Sequence, residues 1–450
     1  MKALRIGVET MLALLGFLMI AVFMYLIMTK RLSALIALMV IPVIFTLIGG
    51  FGGEIGKMML DGVKSVAPTG IMIMFAILFF GVMIDAGLFD PVVEKIVRIV
   101  KGDPLKVAMG TACLILFVSL DGDGTTAYMI TVSAMLPLYK RVGMNPLILA
   151  GIAVLGSGVM NLLPWGGPTA RAMSALGVGV SELYVPVIPA QIGGILVVLF
   201  VAFHYGRKER KRLGVIHISQ EAIDEVAAGE MAAASATVEQ DESIKRPKLI
   251  WVNFALTIAL LVSLVVGVLP TPVLFMVAFA VAIMINYPHM DQQKERISTY
   301  AGNVLSVVSL IFAAGIFTGI LTGTEMVDAM ANSLIAVIPE ELGPYFAVIT
   351  AIASAPFTFF MSNDAFYFGV LPVLAETAAT YGLDPVEIGR ASLLGLPVHL
   401  LSPLVPSTYL LVGMAGVEFG DLQKMMLKWA SLATIVMTVV AVLTGVISIG

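Results

Sequence analysis

The sequence predicts an all-α polytopic membrane protein with two inverted-topology repeats, each carrying a re-entrant helical hairpin and a broken transmembrane helix. Composition is the first sign: 59% of the 450 residues are apolar and 12% charged, where a soluble domain carries about 25% charged residues. The second is the recurrence of long runs free of Lys, Arg, Asp and Glu. The run from Leu249 to Met290 is enough for two spans of about 20 residues each. The third is internal duplication: Gly81 matches Gly319, Asp90 matches Asp328, Gly143 matches Gly382, Pro146 matches Pro385 and Pro164 matches Pro403, at a near-constant offset.

Apolar runs of spanning length lie near 9–28, 33–51 and 69–87. Met11 opens the first so cleanly that the ten residues before it read as a dispensable extension. No small-residue cleavage site follows, so this segment is expected to remain as a span. Phe89 to Lys106 is mixed, with Glu94, Lys95, Arg98 and Lys101 spaced as on an interfacial amphipathic helix. Two shorter arms, 104–120 and 126–139, are each roughly 24 Å long as helices against a ~30 Å hydrocarbon core. They fit a re-entrant hairpin or two short spans, and charge counting does not separate these. The run 147–163 ends in Asn161-Leu-Leu-Pro164-Trp165-Gly166-Gly167-Pro168-Thr169-Ala-Arg171. Two prolines and two glycines inside a span mark a broken helix. Another span covers 184–204.

Between Gly206 and Lys248 the character changes: Arg207, Lys208, Arg210, Lys211 and Arg212 open a polar segment and Lys245, Arg246 and Lys248 close it. Its composition is that of a solvated, largely disordered linker. Spans then recur near 249–268, 270–287 and 300–322, followed by a mixed stretch 323–343 and arms near 344–360 and 365–378. A broken segment, 386–416, contains Leu401-Ser402-Pro403-Leu-Val-Pro406-Ser407-Thr408, and a last span covers 425–448. The organisation is therefore a first membrane repeat (9–205), a cytoplasmic linker (206–248) and a second, inverted membrane repeat (249–450).

Charge sets the relative orientation. Lys95, Arg98, Lys101 and Lys106 mark the first mixed stretch as cytoplasmic, whereas no Lys or Arg occurs between Gly302 and Tyr381. Counting spans from the basic 207–212 cluster agrees, and inverted repeats are the plan of many secondary transporters. The same count puts the N-terminus outside although it carries Lys2 and Arg5. The protein is expected to be multi-pass in the cytoplasmic membrane, in contact with lipid.

Other classes fall away. A net charge of −4 argues against nucleic-acid binding, and the single Cys113 allows neither a disulfide framework nor a thiolate metal site. Asp121-Gly-Asp123-Gly124-Thr125 resembles an aspartyl-phosphate signature, but that chemistry needs a strand before the first acid. An EF-hand loop would want an acid where Val132 stands. An intramembrane enzyme would need a nucleophile–base pair or a His-rich metal set, and of the four histidines only His399 lies near a candidate site. No enzyme activity, resident cofactor or dedicated metal site is expected.

The chemistry gathers at four interruptions: two tips, Ser119-Leu-Asp121-Gly-Asp123-Gly-Thr125-Thr126 and Met361-Ser362-Asn363-Asp364-Ala365-Phe366, and the two Pro-broken segments. Intramembrane acids are costly enough to be functional by default. Half-helix N-termini suit carboxylates, with Gly124, Gly166 and Gly167 allowing close approach and Thr125, Thr126, Asn161, Thr169, Ser362, Asn363, Ser402, Ser407 and Thr408 adding neutral groups. Asp121, Asp123 and Asp364 are hard oxygen ligands for a cation or acceptors for a proton. A helix-capping role competes at Asp123 and Asp364, which occupy similar places in the two halves. Arg171 and Arg390 either orient an anionic substrate or snorkel to an interface. His399 is a hydrogen-bonded core histidine or a proton carrier, and Trp165 reads as packing.

Leu120-Asp-Gly-Asp-Gly-Thr-Thr-Ala-Tyr128 with Ser133-Ala-Met-Leu-Pro-Leu-Tyr-Lys140 resembles the citrate–divalent-metal:proton symporter family (CitMHS). So do Asn161 to Arg171, Ser362-Asn-Asp-Ala-Phe-Tyr-Phe-Gly369 and Pro397-Val-His-Leu-Leu-Ser-Pro403. The resemblance runs from Met11 to the C-terminus, leaving out the linker. It implies the ion transporter superfamily fold, two re-entrant hairpins, and a homodimer with elevator-like motion. Sodium-coupled dicarboxylate relatives carry Ser-Asn-Thr at both tips; this chain has Asp-Gly-Asp-Gly and Ser-Asn-Asp, which fits a site accepting a bound divalent metal.

The expected function is thus import of citrate complexed with a divalent cation of the magnesium or calcium class, driven by protons. The cation is part of the substrate, near Asp121, Asp123 and Asp364. Asp123, Asp364 and His399 are the proton-coupling candidates, with Asp364 favoured for the proton and Asp123 for the cation. The rivals are a proton- or sodium-coupled carrier of free di- or tricarboxylates and, in another class, an ion channel.

Overall fold

The computed structural model describes residues 2–100, 102–215, 242–336 and 338–449. Lys101 and most of the 206–248 linker lie outside the described residues. Among the described residues every regular element is helical, and eight helices are long and apolar enough to cross a membrane. The first half comprises α1 (Lys2–Met28), α2 (Ala34–Ile48), α3 (Ile55–Asp85), α4 (Asp90–Val100), α5 (Pro104–Val118), α6 (Gly124–Val142), α7 (Pro146–Met160), α8 (Gly167–Leu176), α9 (Val180–Leu183) and α10 (Ile188–Leu213). The second comprises α11 (Ile250–Val266), α12 (Thr271–Asn286), α13 (Met290–Gly323), α14 (Met326–Ile335), α15 (Phe346–Phe360), α16 (Leu371–Thr380), α17 (Pro385–Leu393), α18 (Leu396–His399), α19 (Pro406–Ala415) and α20 (Phe419–Leu443).

Local chemistry sets many of these boundaries. Asn145 and Asp384, at equivalent places, cap α7 and α17 by accepting from the amides of Leu147 and Val386, each followed by a proline at the first helical position. Gly143 (φ +73°) stops α6 in the left-handed region that glycine adopts freely. Several helices differ in extent from the sequence expectation. α3 begins at Ile55 rather than near 69, and α13 at Met290 rather than near 300. Hydropathy stops at the first charges, but a helix does not: Asp61 and Lys64 pair at 3.4 Å on an exposed face of α3. Likewise α10 continues through Arg207–Arg212 to Leu213, past residue 206.

α3 and α13 form the central pair and run antiparallel. At one end Arg296 of α13 meets Asp85 at the end of α3, Nη1 to Oδ2 at 3.1 Å, with both side chains buried. Tyr300 OH lies 2.8 Å from Asp85 Oδ1 and 3.0 Å from the Gly81 carbonyl. At the other end the backbones touch: a Cβ on Gly62 would fall 2.0 Å from the Gly315 carbonyl oxygen, and one on Gly319 2.4 Å from that of Met58. Small residues give membrane helices this closeness, since lipid offers no hydrophobic drive. Gly62 against Gly319 and Tyr300 against Gly81 are one pair of equivalent positions exchanged between halves. Gly158 abuts Pro397, its own equivalent.

Basic residues collect at the Asp85 end. Lys245 pairs with Asp90 at 3.0 Å, and the Arg246 amide donates to the Ala86 carbonyl at 3.1 Å. Arg210 lies 3.5 Å from Asp103, and Arg212 donates to the Gly143 carbonyl at 2.9 Å.

Removing one member of the buried Asp85–Arg296 pair leaves an uncompensated charge, which typically costs about 3–5 kcal/mol. Asp85→Ala should therefore lower the unfolding temperature in detergent sharply, while the double change Asp85→Leu with Arg296→Met recovers most of the loss.

Candidate functional site

The first hairpin turns between α5 and α6. A single 3-10 turn, Ser119–Asp121, leads to Gly122 at φ +79°. A Cβ there would be strained and would meet Trp165 Cδ1 at 2.5 Å. Asp121 Oδ1 accepts from the Asp123 amide at 2.9 Å. Asp123 is the N-cap of α6: Oδ1 accepts from Thr125 N at 3.0 Å, and Oδ2 from Thr126 N at 3.2 Å and Thr126 Oγ1 at 2.7 Å. Trp165 Nε1 donates to the Leu120 carbonyl at 2.9 Å while its ring packs on Phe80 and Phe275. Trp165 therefore anchors the tip as well as packing, a role that its surroundings in sequence do not betray.

The second tip uses the same device with other atoms. Ser362 Oγ accepts from the Ala365 amide at 3.2 Å, so Ser362, not Asp364, is the counterpart of the Asp123 cap. The helix then opens with a wide π turn, Ala365–Val370, a feature common at functional sites. Ser402 Oγ donates to the Phe359 carbonyl at 2.6 Å, the carbonyl equivalent to that of Leu120. Asp364 is free of capping duty and instead accepts from Arg171 Nε at 2.5 Å, both side chains about one-fifth exposed. Arg171 thus points into the protein rather than snorkelling. Arg390 does not join it: its Nε donates to the Glu182 carbonyl at 2.9 Å in an exposed setting.

Both broken helices are clipped in the same way. Thr169 Oγ1 donates to the Leu162 carbonyl at 2.9 Å, and Thr408 Oγ1 to that of Leu400 at 2.6 Å. Thr169, Thr408 and Ser402 are therefore engaged in holding backbone. Asn161 ends α7 and sits under Gly166, where a Cβ would fall 2.5 Å from the Asn161 carbonyl oxygen. Gly167 leaves room for Arg171, whose Nη1 would lie 2.8 Å from an added Cβ. Neither α8 nor α19 has a side-chain cap at its N-terminus, leaving positive helix ends open to a ligand. His399 is buried with Nδ1 2.7 Å from the Thr358 carbonyl. A carbonyl only accepts, so Nδ1 carries the proton and the ring is tied to the second hairpin.

Each tip touches both breaks. The first is anchored by Trp165 and lies beside Ser407, whose Oγ is 3.6 Å from where a Cβ of Gly124 would stand. The second is anchored by Ser402 and ion-paired to Arg171. The four interruptions therefore form one region. Within it Asp121 Oδ2, Asn363 Oδ1 and Ser119 Oγ are buried without a protein partner. Each such group is worth about 1–3 kcal/mol of lost solvation, which a ligand can return. Ser119 is an addition to the predicted set; its signal is a polar atom at the end of an otherwise apolar arm. Among the described residues no group of three or more His, Cys, Asp or Glu side chains is placed to hold a metal ion.

Broken helices meeting at two hairpin tips inside a polytopic helical protein define a membrane transporter. The chain belongs to the citrate transporter family, whose model matches residues 12–395. It is 64% identical over 97% of its length to a citrate transporter of Bacillus subtilis, covering 100% of that protein. It is 57% identical over 98% of its length to the Mg(2+)/citrate complex secondary transporter of the same organism, again covering 100%. These relatives are transporters, not enzymes. Among solved structures it resembles the Alcanivorax borkumensis YdaH transporter, whose crystal structure revealed an unusual topology, with a TM-score of 0.51, 16% identity and 88% of each chain covered. That likeness concerns the fold alone.

Asp123→Ala removes a double N-cap and should destabilise the protein by about 0.5–2 kcal/mol. Asp123→Asn, which still accepts, should lose far less, and Trp165→Phe should lose about 1 kcal/mol with the Leu120 bond. Thermal unfolding in detergent compares the three.

Proposed function

We propose that this protein is a secondary symporter importing citrate complexed with a divalent metal ion across the cytoplasmic membrane, driven by protons. One observation carries the reading: carboxylate-facing and cation-facing groups share one region. Arg171 and the uncapped N-termini of α8 and α19 suit carboxylates. The unpartnered buried oxygen of Asp121 suits a cation. Bare citrate would be repelled by Asp121, Asp123 and Asp364; a chelated cation offsets them. The 57% identical relative named for the Mg(2+)/citrate complex supports the same substrate. The cation travels as part of the substrate, and no resident cofactor takes part.

Three details complete the reading. Both oxygens of Asp123 are occupied in capping, so the cation-facing role passes to Asp121. Asp364 carries the coupling: its protonation releases Arg171 for a citrate carboxylate, and rebinding of Arg171 expels the substrate. The repeats 9–205 and 249–450 are inverted, a reading supported by the antiparallel α3–α13 pair, with the basic end and the 206–248 linker cytoplasmic. The family resemblance further suggests a homodimer in the lipid bilayer.

Labelled citrate uptake into proteoliposomes tests the substrate. Uptake should saturate, require a divalent cation and rise with an inward proton gradient. Cation-independent uptake would instead identify a carrier of free di- or tricarboxylates, and unsaturable flux a channel.

The two acids should separate by signature. Asp364→Asn should abolish uptake driven by a pH gradient yet retain citrate–metal exchange. Asp121→Asn should weaken apparent affinity for the metal complex at every pH, by about 5–150-fold if one charged contact worth about 1–3 kcal/mol is lost. Wild-type behaviour of both variants would place the chemistry elsewhere.

A further inference from the structure

At the end of the α3–α13 pair away from Asp85 lies a cavity of about 560 Å³, within the range of small-molecule sites. Its walls are the first turns of α3, the last turns of α13 and the end of α8. Glu54, Lys57, Asp61, Ser65, Ser174, Thr318 and Thr322 supply polar groups, and none belongs to the tips or the breaks.

Three observations give this cavity a direction. Ser174 is 2% exposed, and its hydroxyl is buried with no partner. A buried hydroxyl left unbonded in a cavity wall is a place for a polar ligand. Ser174 and Ala175 follow Arg171 on α8 by three and four residues, so all three share one helix face. The cavity wall therefore continues onto the face that carries the Arg171–Asp364 pair. Toward the helix pair the cavity is closed, because Gly62 and Gly319 in its base leave no room even for a Cβ. Its other end lies at the start of α3, roughly 40 Å along that helix from Asp85 and the basic end. By the positive-inside rule that end faces outward.

We propose that this cavity is the outer vestibule of the transport path, a first station for a solute bearing carboxylates around a cation. The proposal rests on the transport reading above. Lys57 and the Ser174 hydroxyl meet the carboxylates. Glu54 and Asp61 place two acids beside that one base, so the wall is mixed in charge and the chelated metal meets carboxylates as well. From Ser174 the solute passes along α8 to Arg171.

Single cysteines at Ser174, Thr318 and Thr322, in a Cys113→Ala background because Cys113 is exposed, test this with a membrane-impermeant thiol reagent. Lys95→Cys serves as the control on the basic end. Citrate–magnesium uptake by the unlabelled Cys113→Ala protein checks the transport reading separately. The vestibule cysteines should react only from outside, should react several-fold more slowly with citrate and magnesium present, and once labelled should lose uptake by at least tenfold. Lys95→Cys should react only from inside and leave uptake unchanged. Thr322 is exposed, so Thr322→Cys keeps the test intact if Ser174→Cys does not fold. Reaction from the inside only, no reaction at Thr322→Cys, or unimpaired and unprotected uptake after labelling overturns the proposal.

Discussion

Hydrocarbon offers no hydrogen bonds, so a membrane protein that breaks its helices must satisfy the freed backbone from within. The rest of this structure depends on how that is done. Four carbonyls at the interruptions are each held by one side chain: Leu120 by Trp165, Phe359 by Ser402, Leu162 by Thr169 and Leu400 by Thr408. The Leu120 and Phe359 carbonyls hold equivalent places in the two halves, as do Thr169 and Thr408, whereas Trp165 and Ser402 reach their carbonyls from positions that are not equivalent. An indole in one half does the work of a hydroxyl in the other, because the requirement is a donor at one point rather than a given side chain. These clips hold carbonyls freed at the two hairpins and the two breaks, while the starts of α8 and α19 carry no side-chain cap.

The clips would be of little use on a loose frame. The antiparallel α3–α13 pair supplies rigidity by two different means, direct backbone contact at the glycines and a buried ion pair at Asp85 and Arg296. Close packing of that kind is intolerant of added volume, whereas the ion pair constrains which end of each helix meets which. The two halves are in direct contact along this pair, Gly62 with Gly319 and Gly81 with Tyr300. Each tip consequently meets the break of the opposite half as well as its own.

Against this background of satisfied groups, the unsatisfied ones stand out. Asp123, Ser362 and His399 are committed to local structure. Asp121 Oδ2 and Asn363 Oδ1 are not, and Arg171 is paired with the carboxylate of Asp364. What remains after capping and clipping is a small set of buried polar atoms with no protein partner.

Much was legible in the linear chain. The absence of charge over long runs determines a helical membrane protein, since only helices and closed barrels span lipid. Period and punctuation locate the tips and breaks: Asp-Gly-Asp-Gly and the Pro-rich segments interrupt apolar runs that otherwise have no reason to stop. Resemblance of those motifs pointed to the family. What the chain could not disclose is how each polar side chain is employed. Asp123 and Asp364 look alike in sequence, yet one caps its own helix and the other pairs with an arginine 193 positions away. Trp165 and Arg171 gain their roles only from partners brought close by folding. Local chemistry depends on neighbours along the chain and so is written there. The fate of a hydrogen-bonding group depends on neighbours in space, which only the tertiary structure supplies.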